Sequence, residues 1–227
     1  MFDSKNLLDN YFRAKSVQRL LFTWLEGKKL TRMTVLAMTT VGINCGHAVE
    51  EWVETLDASN ILSAPAHVRD RLDRLGKESA SAQNLRTPIT TVEKVLRSLG
   101  DTIYALMARD RGVLGYVKVG RRHLFLCAPP LPSEDRDGAA IVELDPLCAL
   151  DFIVSEQLRR TGRGEKIFSA MLAAEGMEDA SCLAYDRPSG KMLQFLERHY
   201  GMRKMTVQPN RFAVHGDFWK VYGSGSL

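Results

Sequence analysis

Leu7, Leu8, Tyr11, Phe12, Leu20, Leu21, Trp24 and Leu25 recur at helical spacing, and Gly27 follows as a stop. The pattern predicts an amphipathic helix over 5–26, whose apolar stripe would pack on a domain more readily than on a membrane surface. Met33 to Val41 is apolar and β-branched, as a strand requires, whereas residues 42–64 carry no clear period. Val68, Leu72 and Leu75 predict a helix that ends near Gly76 or runs on through the Ser/Ala-rich stretch to Leu85. Pro88 then opens a short helix, with Val92, Val95, Leu96 and Leu99 on one side and Gly100 past its end.

From Thr102 the period shortens. Ile103 to Met107 and Val113 to Val119 read as strands joined by a turn at 109–112, and His123 to Cys127 as a third. Pro129, Pro130, Pro132 and Asp135-Arg136-Asp137-Gly138 make a polar surface loop. Strand signals return at 140–144 and 147–154. A helix follows from Gly162 with Ile167, Phe168, Met171 and Leu172 on its buried side. Ser181 to Tyr185 reads as a strand, Ser189 to Tyr200 as a helix, and Met205 to Val207 and Arg211 to Val214 as one or two more strands. Antiparallel strands followed by β-α-β-α-β place the chain in the α/β class, with no internal repeat.

The 227 residues suffice for one well-buried domain, or a domain with an extension. With 45% hydrophobic and 26% charged residues, the composition is that of an ordinary globular protein. No run reaches the ~18 apolar residues of a membrane span, and Met1 to Lys5 do not lead into a signal-peptide core, so neither membrane nor export is expected. Cys45, Cys127, Cys148 and Cys182 are widely spaced and read as free thiols. Cys45 and His47 lack a second ligand pair, so no metal is expected.

The net charge of +4 is modest, but the basic residues cluster. Arg109, Arg111, Lys118, Arg121 and Arg122 form one group, and Arg159, Arg160, Arg163 and Lys166 another. Neither is interleaved with aromatics, so nucleic acid is not the expected partner. The second group coincides with a glycine-bearing turn, Arg159-Arg160-Thr161-Gly162-Arg163-Gly164, between an apolar strand and a helix. Backbone N–H groups at such a turn have no intrahelical partner and can hold a phosphate. Glycine permits close approach, and arginine adds charge. The spacing is neither G-x-G-x-x-G nor G-x-x-x-x-G-K-[ST].

Arg159-x-x-Gly162-x-Gly164 resembles the R/Q-x-x-G-x-G/A signature of the GCN5-related N-acetyltransferases. Four flanking blocks narrow the resemblance to the α-tubulin N-acetyltransferases. They are Gly76-Lys77-x-Ser79-Ala80-x-Ala82-Gln83-Asn84-Leu85-x-x-Pro88-Ile89-Thr90, Gly115-Tyr116-Val117-Lys118-Val119-Gly120, Pro146-Leu147-Cys148-x-Leu150-Asp151-Phe152, and Ala184-x-Asp186-Arg187-Pro188-Ser189-x-Lys191 continuing to Tyr200. The resemblance covers roughly residues 75 to 219. It implies a GCN5-related N-acetyltransferase fold, a central, mostly antiparallel twisted sheet flanked by helices. The domain is expected over 71–221, after an N-terminal helical extension or start of the domain over 1–70 and before a disordered tail at 222–227.

The resemblance further implies acetyl transfer from acetyl-coenzyme A to a lysine of α-tubulin in microtubules, including those of a cilium or flagellum. Asp186 corresponds to a catalytic aspartate and is the expected general base, although an Asp or Ser just before a helix is also a normal cap. Cys148 corresponds to a catalytic cysteine, which would act as base or nucleophile; read alone, it is a small core residue. Gln83 corresponds to a glutamine needed for activity; an amide is no base, so its role would be positioning. Cofactor contacts are implied at Phe152, Ile153, Val154, Arg159, Arg160, Thr161, Gly162, Arg163, Gly164, Glu165, Ser189, Gly190, Lys191 and Arg198. Two features depart from expectation. Leu196 stands where many GCN5-related enzymes place a tyrosine, and the turn carries more arginine than in close relatives. Rival readings are an acetyltransferase with another acceptor and a microtubule-binding protein without turnover.

Overall fold

A computed structural model describes residues 50–129 and 140–223. The sequence-predicted helix over 5–26, the strand at 33–41, Cys45, His47, the loop from Pro130 to Gly138 and the last residues from Ser224 lie outside the described residues. Seven strands form one sheet. In chain order they are β1 (Glu51–Leu56), β2 (Asp101–Ala108), β3 (Gly112–Arg121), β6 (Leu147–Val154), β7 (Ala184–Asp186), β8 (Met205–Val207) and β9 (Phe212–His215). Their spatial order is β1-β2-β3-β6-β7-β9-β8. Every neighbouring pair is antiparallel except β6 with β7, so the sheet is mixed but mostly antiparallel, as the sequence implies.

Both faces are covered. The helices α1 (Ala66–Ala82) and α2 (Val92–Arg97) pack on one side, where Leu72, Leu75 and Val95 meet Ile103, Ala105 and Tyr116. On the other side lie α3 (Arg163–Ala174) and α4 (Gly190–Tyr200), where Phe168, Met171 and Leu196 meet Leu106, Val117 and Val119. Covering both faces explains why the central strands read as continuous apolar runs instead of alternating.

The structure departs from the sequence pattern in four places. β1 falls in the stretch that carried no clear period; its Glu-Trp-Val-Glu order is that of a half-exposed edge strand. Strand β4 (Leu124–Ala128) does not join the main sheet but pairs with β5 (Ala140–Leu144) in a separate hairpin. The strand expected from Ser181 to Tyr185 is a 3-10 turn at Ala180–Cys182 followed by the three-residue β7. Leu99, expected on the buried side of its helix, is 91% exposed, because α2 stops at Arg97. At the C-terminal end, α5 (Phe218–Tyr222) buries Phe218 and stacks Tyr222 on it, with ring centroids 4.5 Å apart.

Two features of β6 shape the centre of the molecule. Its register against β3 runs from Val119 opposite Ala149 to Lys118 opposite Asp151, so Leu150 is the extra residue of a β-bulge. Its pairing with β7 covers only Cys148 with Ala184 and Ala149 with Tyr185. Beyond those pairs the two parallel strands part, and a cleft opens between their C-terminal ends.

Candidate active site

The cleft between β6 and β7 is lined by Gln83, Ala149, Leu150, Asp151, Phe152 and the segment Tyr185 to Ser189, with Met192 behind. The fold therefore brings Gln83 and Asp186 to one place although 103 positions separate them in the chain (186 − 83). Asp186 ends β7. Its carboxylate is held by the next side chain, with Arg187 Nε donating to Oδ1 at 2.8 Å and Nη2 to Oδ2 at 3.1 Å. This contact and the neighbouring negative charge raise the Arg187 guanidinium above its ordinary range. Arg187 is itself exposed and takes a left-handed backbone conformation, with φ of 43°.

Helix capping falls to Ser189, not Asp186. The Ser189 hydroxyl accepts from the N–H of Met192 at 3.2 Å. Ser189→Ala is expected to cost about 1 kcal/mol of stability, the usual value of a cap, and chemical denaturation checks it.

Cys148 lies outside the cleft lining. It is fully buried against Leu124, Leu126, Ala184, Val214 and Phe218, with its thiol turned to the carbonyl of Pro146 at 3.4 Å. Burial pushes the thiol up to about 12, against the opposing pull of Arg122. A group raised this far stays protonated at neutral pH, and alkylation needs the thiolate. Native protein at pH 8 is therefore expected to leave Cys148 unmodified by iodoacetamide until denaturant is added, as peptide mass mapping would show. Rapid native labelling would contradict this placement.

Beyond the bulge, β6 leads into the glycine-bearing turn. Phe152 is half-buried among aromatics of α3 and α4, whereas the Ile153 and Val154 side chains belong to the core and offer a ligand only their backbone. Arg159 donates back to the carbonyl of Val154, Thr161 Oγ1 donates to that of Leu158, and Arg160 takes φ of 62° with its side chain exposed. Gly162, at φ of 80°, is the N-cap of α3 and supplies no side-chain cap. The first-turn N–H groups of α3 are thus left without intrahelical partners at the positive end of the helix dipole. Gly164 lies flat on the aromatics, and a Cβ there would come within 3.2 Å of Phe152 Cζ.

The arginines of the turn are not equivalent. Arg163, expected at the phosphate site, instead reaches β1, where its Nη2 donates to Glu51 Oε1 at 2.6 Å. Lys166 joins it, with Nζ donating to the Glu51 carbonyl at 2.8 Å. Glu165 pairs with His199 at 3.2 Å, and Arg198 is exposed on the last turn of α4. Gly190 and Lys191 open α4, and Lys191 also faces a second groove with Arg71, Arg74, Lys77 and Arg159.

That basic groove was not legible in the sequence, because α1 lies far along the chain from the turn. Also missed was the buried cluster behind Gln83: Ser79, Thr90 and Tyr116, all directed at Asp151. A lone acid inside an apolar strand was the signal that could have found it. Among the described residues, no group of three or more His, Cys, Asp or Glu is placed to hold a metal ion, and no helix is long and apolar enough to cross a membrane.

The α-tubulin N-acetyltransferase of Leishmania infantum is 40% identical over 148 residues, covering 65% of this chain and 57% of the relative. Alpha-tubulin N-acetyltransferase 1 of Danio rerio is 38% identical over 183 residues, covering 75% and 58%. The Drosophila melanogaster protein of that name is 34% identical over 174 residues, covering 75% and 36%. The chain thus spans less than two thirds of the length of these relatives. The profile of one family, described as GNAT acetyltransferase, Mec-17, matches residues 43–224, which take in the whole sheet, the cleft and the glycine turn, and the chain belongs to that family.

Proposed function

We propose that this chain transfers an acetyl group from acetyl-coenzyme A to a lysine side chain of α-tubulin. The observation that carries the reading is the convergence of Asp186 and Gln83 on the cleft between β6 and β7, the first of which leads through the glycine turn to a helix N-terminus without a side-chain cap. The names of the relatives supply the acceptor. On this reading the chain acts on microtubules, and those of cilia or flagella are among its sites of action.

The residues present fit acetyl-coenzyme A. The orphan N–H groups of Gly162 to Glu165 and the Arg160 guanidinium suit its pyrophosphate, and the groove bearing Arg159 and Lys191 suits a further phosphate. Ser189, the N-cap of α4, borders the cleft between β6 and β7, and Gly190 follows it as the first residue of the helix. The bound cofactor supplies the thioester. Past its two pairs with β7, the cleft-side edge of β6 has no ladder partner in the sheet, and an N–H there can polarise the thioester carbonyl.

Asp186 is assigned as the base. Its carboxylate takes one proton from the acceptor ammonium, so that the amine nitrogen can form the new C–N bond as the C–S bond breaks; the second N–H proton passes to the departing sulfur, leaving a neutral amide and the coenzyme A thiol. Arg187 occupies both carboxylate oxygens and must swing aside first, which its exposure allows. Cys148 is assigned a packing role: a buried thiol held near 12 is a poor base at neutral pH and does not line the cleft.

The test is incubation of polymerised tubulin with the protein and labelled acetyl-coenzyme A, followed by mass-spectrometric mapping. Acetylation of one α-tubulin lysine is the expected result. Tight cofactor binding with no transfer to tubulin would overturn the acceptor assignment.

A further inference from the structure

Asp151 is 5% exposed, yet it carries a carboxylate at the back of the cleft. Four donors converge on it. Ser79 Oγ at 2.7 Å and Gln83 Nε2 at 3.4 Å reach Oδ1, and Thr90 Oγ1 at 2.6 Å and Tyr116 OH at 2.7 Å reach Oδ2. Gln83 Nε2 also donates to Ser79 Oγ at 3.0 Å. Among the described residues no cation pairs with Asp151. Lys118, its register partner on β3, is committed to Asp101 at 2.8 Å. A buried carboxylate persists only where hydrogen bonds replace its water, and here three hydroxyls and an amide do so.

We propose that Asp151 is a positioning residue for the acceptor amine, acting through Gln83. This rests on the reading of the site as one that acetylates a lysine. A carboxylate only accepts, so it admits the NH2 end of the Gln83 amide and rejects the carbonyl end. A reversed amide would set oxygen against oxygen. The Gln83 carbonyl is thereby left facing the cleft, where it accepts a hydrogen bond from an incoming lysine amine. The same carboxylate holds Thr90 and so fixes the far end of the segment that begins at Gln83. The substrate-facing dipole and the loop that presents it are set by one buried charge.

A double-mutant cycle on the full chain tests this, with Asp151→Asn, Gln83→Ala and their combination. Rates are read at saturating acetyl-coenzyme A and varied acceptor, beside cofactor affinity by calorimetry. Asp151→Asn is expected to lower kcat/KM for the acceptor about 30-fold, the effect of one misdirected buried hydrogen bond to a charged group. Its cofactor affinity stays within about 3-fold, and in the Gln83→Ala background it adds less than about 3-fold more, because the two act as a unit. The exchange Asp151→Asn with Gln83→Glu restores a donor facing an acceptor and is expected to regain about tenfold over Gln83→Glu alone.

Equal losses in both backgrounds, or wild-type kinetics in Asp151→Asn, overturn the proposal. If Asp151→Asn does not fold, Ser79→Ala, which keeps the charge and removes the bridge, is judged by the same cycle. Wild-type protein that binds acetyl-coenzyme A but acetylates no amine overturns the parent reading and this one together. Additive losses in an active enzyme overturn only this one.

Discussion

Asp186→Asn is expected to reduce acetyl transfer by about 10²–10⁴-fold, the contribution of a positioned general base. The substitution is isosteric, and Asp186 makes no helix cap, so the fold has no reason to change. What is lost is the capacity to take a proton. Cofactor affinity should stay near wild type, because the glycine turn and the basic groove lie on α1, the segment after β6, α3 and the start of α4. Single-turnover transfer and calorimetric titration of acetyl-coenzyme A, run on the same preparation, separate the two quantities. A variant that keeps more than about a third of its rate would place the base elsewhere, since such a loss is far below the range for general-base catalysis. One that loses cofactor affinity in step with rate would make Asp186 a binding residue.

The second large effect concerns stability. Glycine inside a helix normally costs about 1 kcal/mol relative to alanine, so Gly76 in the seventeen-residue α1 looks like an easy gain. The structure predicts the opposite sign. A Cβ at Gly76 would lie 1.9 Å from the backbone oxygen of Thr90 and 3.1 Å from its carbonyl carbon. Thr90 cannot retreat freely, because its hydroxyl is bound to Asp151 and the N–H of Val92 is bound to Asp73. Gly76→Ala is therefore expected to destabilise the protein by about 3 kcal/mol, the upper end for overpacking. Urea denaturation measures it, and hydrogen exchange should locate the damage at 88–92. A midpoint at or above wild type would refute the close approach.

Much of this fold was written in the hydrophobic pattern. The strands at 140–144 and 147–154 fall where the sequence put them, because the apolar runs are bounded by polar residues and by Pro146. The helix after Gly162 was legible for a similar reason. β1 was not, because an edge strand needs neither a continuous apolar run nor a clean alternation. Nor does periodicity show which strands pair: β4 has a normal strand pattern, yet its partner is β5, across a segment of eleven residues (129 to 139).

At the site, Gln83 and Asp186, which the resemblance assigned to one reaction, both line the cleft, whereas Cys148, assigned with them, is not among its lining residues. A cysteine and its strand neighbours look alike in sequence whether the side chain turns to the cleft or away. Asp151 stands in a motif whose sequence shows no task for it, since its partners come from α1, the loop behind it and β3. The arginines of the turn pooled into one positive patch on paper. In the fold, Arg163 is claimed by a glutamate that precedes it by 112 positions.

The short pairing of β6 with β7 has a mechanical consequence. The sheet is two ribbons, β1-β2-β3-β6 and β7-β9-β8, stitched by a seam only two residue pairs long. On one face the seam is backed by an aromatic cluster in which Phe152 of β6 meets Phe168 of α3 and Phe195 of α4, with Tyr200 beside them. A ribbon joined in this way can flex about its seam while each half keeps its own hydrogen-bond ladder. The aromatics act as the spine of a book, and the pages open on the side where Gln83 and Asp186 stand.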